Sequence, residues 1–193
     1  MPQIDYYFST LSPFTYLAGG RLEEIAERHG AGIAYKPLDI VALFARTGGT
    51  PPPQRHPNRQ AYRAQEMRRG AVKAGLPMNP QPAHWPTNPA PSSYAIIAAQ
   101  AAGGGDVGGL VQALLRAVWA EDRDIAEDSV IRACLEGAGF DPSLADSGLR
   151  SRRESSHRVA RDSHHTVLPT TVITPRSPRQ SSHCVARDSH HTA

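Results

Sequence analysis

The chain has 193 residues, 39% of them hydrophobic and 20% charged, which is enough for one domain with a proper core and room for an inserted subdomain. No apolar run approaches about 20 residues, so a membrane-spanning helix is not expected. The net charge of +3 is uneven: residues 1–149 carry 13 Lys+Arg against 15 Asp+Glu, and residues 150–193 carry 8 Arg against 3 Asp+Glu. Without a basic stripe interleaved with aromatics in the first 149 residues, nucleic-acid binding by the body is not expected.

The first residues, "MPQIDYYF", lack a basic start and an apolar stretch. No signal peptide is expected, and the chain reads as cytoplasmic. Ile4–Phe8 is β-branched and aromatic and reads as a strand, with Tyr6, Tyr7 and Phe8 expected in the core. Ser12 suits a helix cap and Pro13 a first helical position. Phe14, Leu17, Leu22, Ile25 and Ala26 then follow helical spacing to Gly30, despite Gly19-Gly20. Ile33 and Tyr35 alternate in a second strand near 32–37. Strand, helix, strand within 40 residues predicts a parallel βαβ unit over 1–40.

Residues 46–60, "RTGGTPPPQRHPNRQ", read as a loop. A helix is expected over Tyr62–Ala74, followed by "PMNPQPAHWPTNPAP" (77–91), whose six prolines exclude regular helix or central strand. Loops of this length in a compact domain are often functional. Three helices follow, from Ser92, across "GGLVQALLRAVWAED" with Leu110, Leu114 and Val118 on one face, and across "AEDSVIRACLEGAG". Residues 41–140 thus read as a helical subdomain.

The segment 141–193 reads as an atypical Ser/His/Arg-rich tail. "ESSHRVARDSHHT" (154–166) recurs as "QSSHCVARDSHHT" (180–192), too few copies for a solenoid. Its composition predicts disorder, apart from the strand-like "VLPTTVIT" (167–174). Adjacent pairs such as His164-His165 and His190-His191 make no defined metal site, and none is expected. Cys134 and Cys184 are far apart and indicate neither a disulfide framework nor a zinc site. Cys134, on an apolar helix, reads as a buried small side chain.

The stretch "YYFSTLSPFTYLA" (6–18) resembles the start of 2-hydroxychromene-2-carboxylate isomerases and kappa-class glutathione transferases, in the DsbA-like branch of the thioredoxin superfamily. "YKPLDIVALFARTGG" (35–49), "AVKAGLPMNPQP" (71–82), "HWPTNPAPSSYAIIAA" (84–99) and "AVWAEDRDIAEDSVI" (117–131) fit the same family, in order, over roughly residues 3–148. The resemblance implies an α/β thioredoxin-like fold with an all-helical insertion. It stops near Gly148, before the return strands, so the C-terminal part of the sheet is expected to be incomplete. The family's next strand begins at a cis-proline facing the serine, for which Pro169 is the candidate, against the simpler reading of coincidence.

The resemblance also implies a glutathione-dependent enzyme acting on a small aromatic keto acid, and leaves room for a homodimer. In redox relatives the strand-to-helix junction carries a cysteine thiolate, favoured by unpaired N–H groups and about half a positive charge. Here the junction carries Ser12, so the sulfur must come from glutathione, and the Ser12 hydroxyl is expected to donate to it. A charge-assisted hydrogen bond of about 1.5–3 kcal/mol lowers a thiol pKa by roughly one to two units. An isomerase returns its glutathione, whereas a transferase releases a conjugate. An inactive remnant acting through its tail is the third reading.

Trp85, Asn88 and Pro89 of "HWPTNPAP" are carried over as lining the glutathione and substrate pocket, with Asn58 and Lys36 as further candidates. Each has a plainer reading: Ser12-Pro13 as an ordinary cap, Trp85 as a core anchor, Asn88 as a turn residue, Lys36 as a solvated strand-end charge. At Gly70 the family commonly has a tryptophan, so a packing loss is expected there.

Overall fold

A computed structural model describes residues 1–146. The repeats, the His pairs, Pro169, Cys184 and the expectation of a disordered tail lie outside the described residues. Strand β1 (Gln3–Phe8) pairs in parallel with β2 (Gly32–Pro37), from Gln3 opposite Gly32 to Phe8 opposite Pro37. These two strands make up the sheet among the described residues. Ile4, Tyr6 and Phe8 face inward and Asp5 and Tyr7 outward. Tyr7 is 62% exposed and not in the core, because a strand's two-residue period cannot put three successive aromatics on one face. Tyr6 stacks on Phe8 at 5.0 Å between centroids, and Tyr35 meets both edge-on at 6.1 and 6.4 Å.

The single helix expected after Ser12 is two, α1 (Pro13–Ala18) and α2 (Arg21–Arg28). Gly19 separates them with φ +56°, which L side chains rarely adopt, and its carbonyl accepts from Gln112 Nε2 at 2.9 Å. Residues 40–47, to which the sequence reading assigns no element, form helix α3 (Ile40–Thr47), capped by Asp39, which accepts from the N–H groups of Val41 and Ala42. The loop ends earlier than expected: α4 (Pro57–Ala74) starts at a proline in the first helical position, with His56 Nδ1 accepting from Asn58 N–H. Gly70 of α4 leaves no hole, since a Cβ there would lie 2.9 Å from Leu17 Cδ1 of α1. The space expected for a family tryptophan is already filled from the neighbouring helix.

The core centres on α5 (Ala90–Ala102), α6 (Val107–Trp119) and α7 (Asp128–Gly137). Ala95, Ile96, Leu110, Leu114, Ile131 and Leu135 are fully buried. α6 is buried on nearly all sides rather than on one face, Val111, Leu115 and Ala117 being covered as well. Pro142–Asp146, at the start of the segment read as tail, forms a 3₁₀ turn tied to α7 by Arg132, which donates to the Pro142 carbonyl and pairs with Asp146.

Phe8 and Tyr35 of the sheet pack into this helical core, and one side-chain amide adds hydrogen bonds between sheet and helices. Tyr35 N–H donates to Gln100 Oε1 at 2.7 Å, and Gln100 Nε2 donates to the Tyr35 carbonyl at 3.3 Å. The Gln100 side chain therefore occupies the edge of β2 as a neighbouring strand would. No helix among the described residues is long and apolar enough to cross a membrane.

Candidate active site

The chain leaves β1 through Ser9, Thr10 and Leu11, all buried, and enters α1 at Ser12. Ser12 N–H donates to the Ser9 carbonyl at 3.0 Å, and Ser12 Oγ accepts from Thr15 N–H at 3.2 Å. A hydroxyl has one proton and two acceptor positions, so this cap leaves the Ser12 proton free to be donated. At six residues, α1 is too short to supply much of a macrodipole. The helix-terminus field expected from the sequence is thus reduced by the break at Gly19.

The proline-rich segment between α4 and α5 is fastened beside this turn. Trp85 Nε1 donates to the Leu11 carbonyl at 3.1 Å, and the ring packs against Trp119 at 5.7 Å. Tyr16 Oη donates to the Pro77 carbonyl at 2.6 Å. Asp122 accepts from Asn79 Nδ2 and Ala83 N–H, and Asp124 from Thr87 Oγ1. The peptide between Trp85 and Pro86 is cis.

Ser12 and Trp85 line one cavity of about 530 Å³, within the range of small-molecule sites. Phe14 of α1 and Val41 and Phe44 of α3 supply apolar wall, and Tyr7 and the prolines at 51–53 extend it. Its charged lining residues are Arg55 and Arg63; no Asp or Glu lines it among the described residues. Arg63 Cζ lies 5.7 Å from the ring centroids of both Phe14 and Trp85. Burial, together with the like charge of Arg55, lowers the pKa of its guanidinium. Arg55 is partly held, its Nε donating to the Thr50 carbonyl at 2.8 Å and its guanidinium 5.8 Å from the Phe44 ring.

The other four sequence candidates do not line this cavity. Lys36 pairs with Asp5 at 2.6 Å on the outer face of the sheet, which raises its pKa. Strand alternation puts it there, beside Tyr7. Asn88 is exposed, its Oδ1 accepting from Ala90 N–H at 3.1 Å in a turn that starts α5. Pro89 caps α5 and offers its carbonyl to Ser92 Oγ at 3.0 Å, and that hydroxyl also lies 3.3 Å from Thr10 Oγ1. Pro89 thereby supports the turn before Ser12 from behind. Asn58 is exposed in the first turn of α4.

The sequence reading missed Arg63, Arg55 and Phe44. For Phe44 a signal existed: Asp39 and Gly48 bracket an apolar run as caps bracket a helix. Arg63 carries no local signal, since its direction depends on how α4 lies against α1.

Similarity to known proteins bears on this geometry. The model of the DSBA-like thioredoxin domain matches residues 3–164, reaching beyond Gly148. A 2-hydroxychromene-2-carboxylate isomerase of Sphingobium xenophagum is 30% identical over 161 residues, 82% of this chain and 80% of that protein. Glutathione S-transferase kappa 1 of Caenorhabditis elegans is 29% identical over 83 residues, 42% of this chain and 36% of that protein. A solved structure of a 2-hydroxychromene-2-carboxylate isomerase superposes with TM-score 0.60 at 25% identity, covering 84% of this chain and 77% of its own. With a parallel βα beginning, a helical insertion and Ser12 at the β1–α1 junction, the chain belongs to the DsbA-like thioredoxin family, in its 2-hydroxychromene-2-carboxylate isomerase branch.

Proposed function

We propose that the protein is a glutathione-dependent isomerase of 2-hydroxychromene-2-carboxylate-type aromatic acids, with Ser12 holding the reacting sulfur. One observation carries this reading: Ser12 Oγ, its cap bond already made by Thr15 N–H, has a proton to donate on the wall of an apolar cavity lined, among the described residues, by two guanidinium groups and no carboxylate. Such a site suits a thiolate. Bound glutathione supplies a sulfur nucleophile whose reversible addition turns a double bond into a rotatable single bond.

Ser12 donates a hydrogen bond to the sulfur and so holds the thiol pKa down. Its own deprotonation is not needed. Arg55 and Arg63 add positive potential, and the apolar wall limits the water that would screen it. Trp85 positions the turn through the Leu11 carbonyl while its ring walls the cavity.

A kappa-type glutathione transferase would use the same residues, and the kappa relative supports it as the second reading. Incubation of the aromatic acid with trace glutathione separates the two. Isomerised product in molar excess over glutathione is expected; one-to-one consumption with a stable conjugate assigns the transferase. Absence of glutathione binding by calorimetry overturns both.

A further inference from the structure

Arg63 lies on the second turn of α4 and lines the cavity between two aromatic rings. Among the described residues, no carboxylate lies within ion-pairing distance of it, the ion-paired arginines being Arg116, Arg123 and Arg132. The arginine side-chain hydrogen bonds belong to Arg55, Arg116 and Arg132. Glu66, one turn further along α4, offsets only part of the lowering by burial and Arg55. Arg63 therefore presents a half-buried guanidinium with no protein hydrogen-bond or ion-pair partner, in a cavity that no carboxylate lines among the described residues.

A half-buried, unpaired guanidinium is a ready partner for an anion, since a charge-assisted hydrogen bond strengthens as water is excluded. A guanidinium fork matches the two oxygens of a carboxylate, while its planar faces rest on aromatic rings. We propose that Arg63 is the specificity-determining residue of the cavity: it binds the carboxylate of an aromatic acid whose ring occupies the apolar space walled by Phe14, Phe44 and Trp85. This rests on reading the cavity as the substrate site of the isomerase. The carboxylates of glutathione offer the same chemistry. The surroundings favour the aromatic acid, because the wall beside Arg63 is aromatic rather than a ladder of backbone donors and acceptors.

The test uses the full chain, with chromone-2-carboxylate and its uncharged carboxamide as probes, followed by tryptophan fluorescence. Glutathione binding is measured separately by calorimetry. In Arg63→Met the acid should bind about 10- to 100-fold more weakly, in line with loss of a charged hydrogen-bonded pair. Arg63→Lys, which keeps the charge without the fork, should fall between. The carboxamide should bind equally to all three proteins, and any loss of glutathione affinity should be smaller than the loss for the acid.

Unchanged affinity for the acid in Arg63→Met, or an equal loss for acid and carboxamide, overturns the proposal. A loss confined to glutathione also overturns it, reassigning Arg63 to the tripeptide. If Arg63→Met does not fold, the wild-type protein decides: no preference for acid over carboxamide refutes the assignment. If wild type prefers the acid through Arg63 but binds no glutathione, the isomerase reading fails and the carboxylate site stands.

Discussion

Replacing Ser12 removes two things that can be measured apart. The first is a helix cap, the 3.2 Å bond from Thr15 N–H, worth about 0.5–2 kcal/mol when an alanine takes its place and only a few tenths when a glycine does. The second, under the proposed function, is the proton offered to a bound thiolate, worth about 1.5–3 kcal/mol, or roughly one to two units on the thiol pKa. Ser12→Ala and Ser12→Gly should therefore differ in stability by roughly 0.2–1.7 kcal/mol in chemical denaturation. They should agree in chemistry. The thiol of bound glutathione, followed by thiolate absorbance against pH, should titrate roughly one to two units higher in both variants than in wild type. The sign follows from the donor: a hydrogen bond to the charged form lowers the pKa, so its loss raises it. Turnover in the variants should then fall off at correspondingly higher pH as the solution is acidified. A bound-thiol pKa equal in wild type and both variants would falsify the role assigned to Ser12. A pKa that tracked the stability difference between Ala and Gly would show the cap, rather than the proton, to be responsible.

Gly70→Ala should stabilise the protein by about 0.5–1 kcal/mol, because α4 gains helix propensity and only the flexible end of Leu17 must move from a 2.9 Å approach; a loss of denaturation midpoint would show Leu17 to be locked. Gln100→Met, which strips both polar partners from the Tyr35 backbone, should cost about 1–3 kcal/mol and speed hydrogen exchange at the Tyr35 amide. Unchanged exchange there would refute the strand-mimic role. Burial raises the pKa values of Tyr6, Tyr16 and Tyr35, and the Tyr35 hydroxyl donates to Glu23 Oε1 at 2.9 Å. The unfolded chain loses these protons first, so stability should decline above about pH 10, less steeply in Tyr35→Phe. Denaturation midpoints that stay level through that range would contradict it.

The beginning of the chain was legible because its signals are local. "IDYYF" is strand by side-chain type, Ser12-Pro13 is a cap by chemistry, and the βαβ order follows from spacing alone. The apolar helices from 92 to 139 declared themselves by composition, since a helix buried on nearly all sides carries an almost continuous apolar run. Motif blocks did the same for the family, and Ser12 at the β1–α1 junction needed no tertiary knowledge to be singled out.

Other features depended on contacts between segments distant in sequence. Whether Gly19-Gly20 bends a helix or breaks it turned on Gln112, 93 positions away, which takes up the Gly19 carbonyl. Gly70 looked like a missing ring because its neighbour Leu17 belongs to another helix. Asn88 and Lys36 are polar residues beside pocket-forming segments, and sequence cannot tell a side chain spent on its own turn or on a cross-strand partner from one turned inward. Arg63 is the converse case. By sequence it is one of several arginines on a polar helix; the packing of α4 against α1 half-buries it and sets it between Phe14 and Trp85. The sequence alone determined that a serine, not a cysteine, stands at the β1–α1 junction. Only the tertiary structure decided which cations face it, because a side chain's direction across a cavity is set by packing that no local pattern encodes.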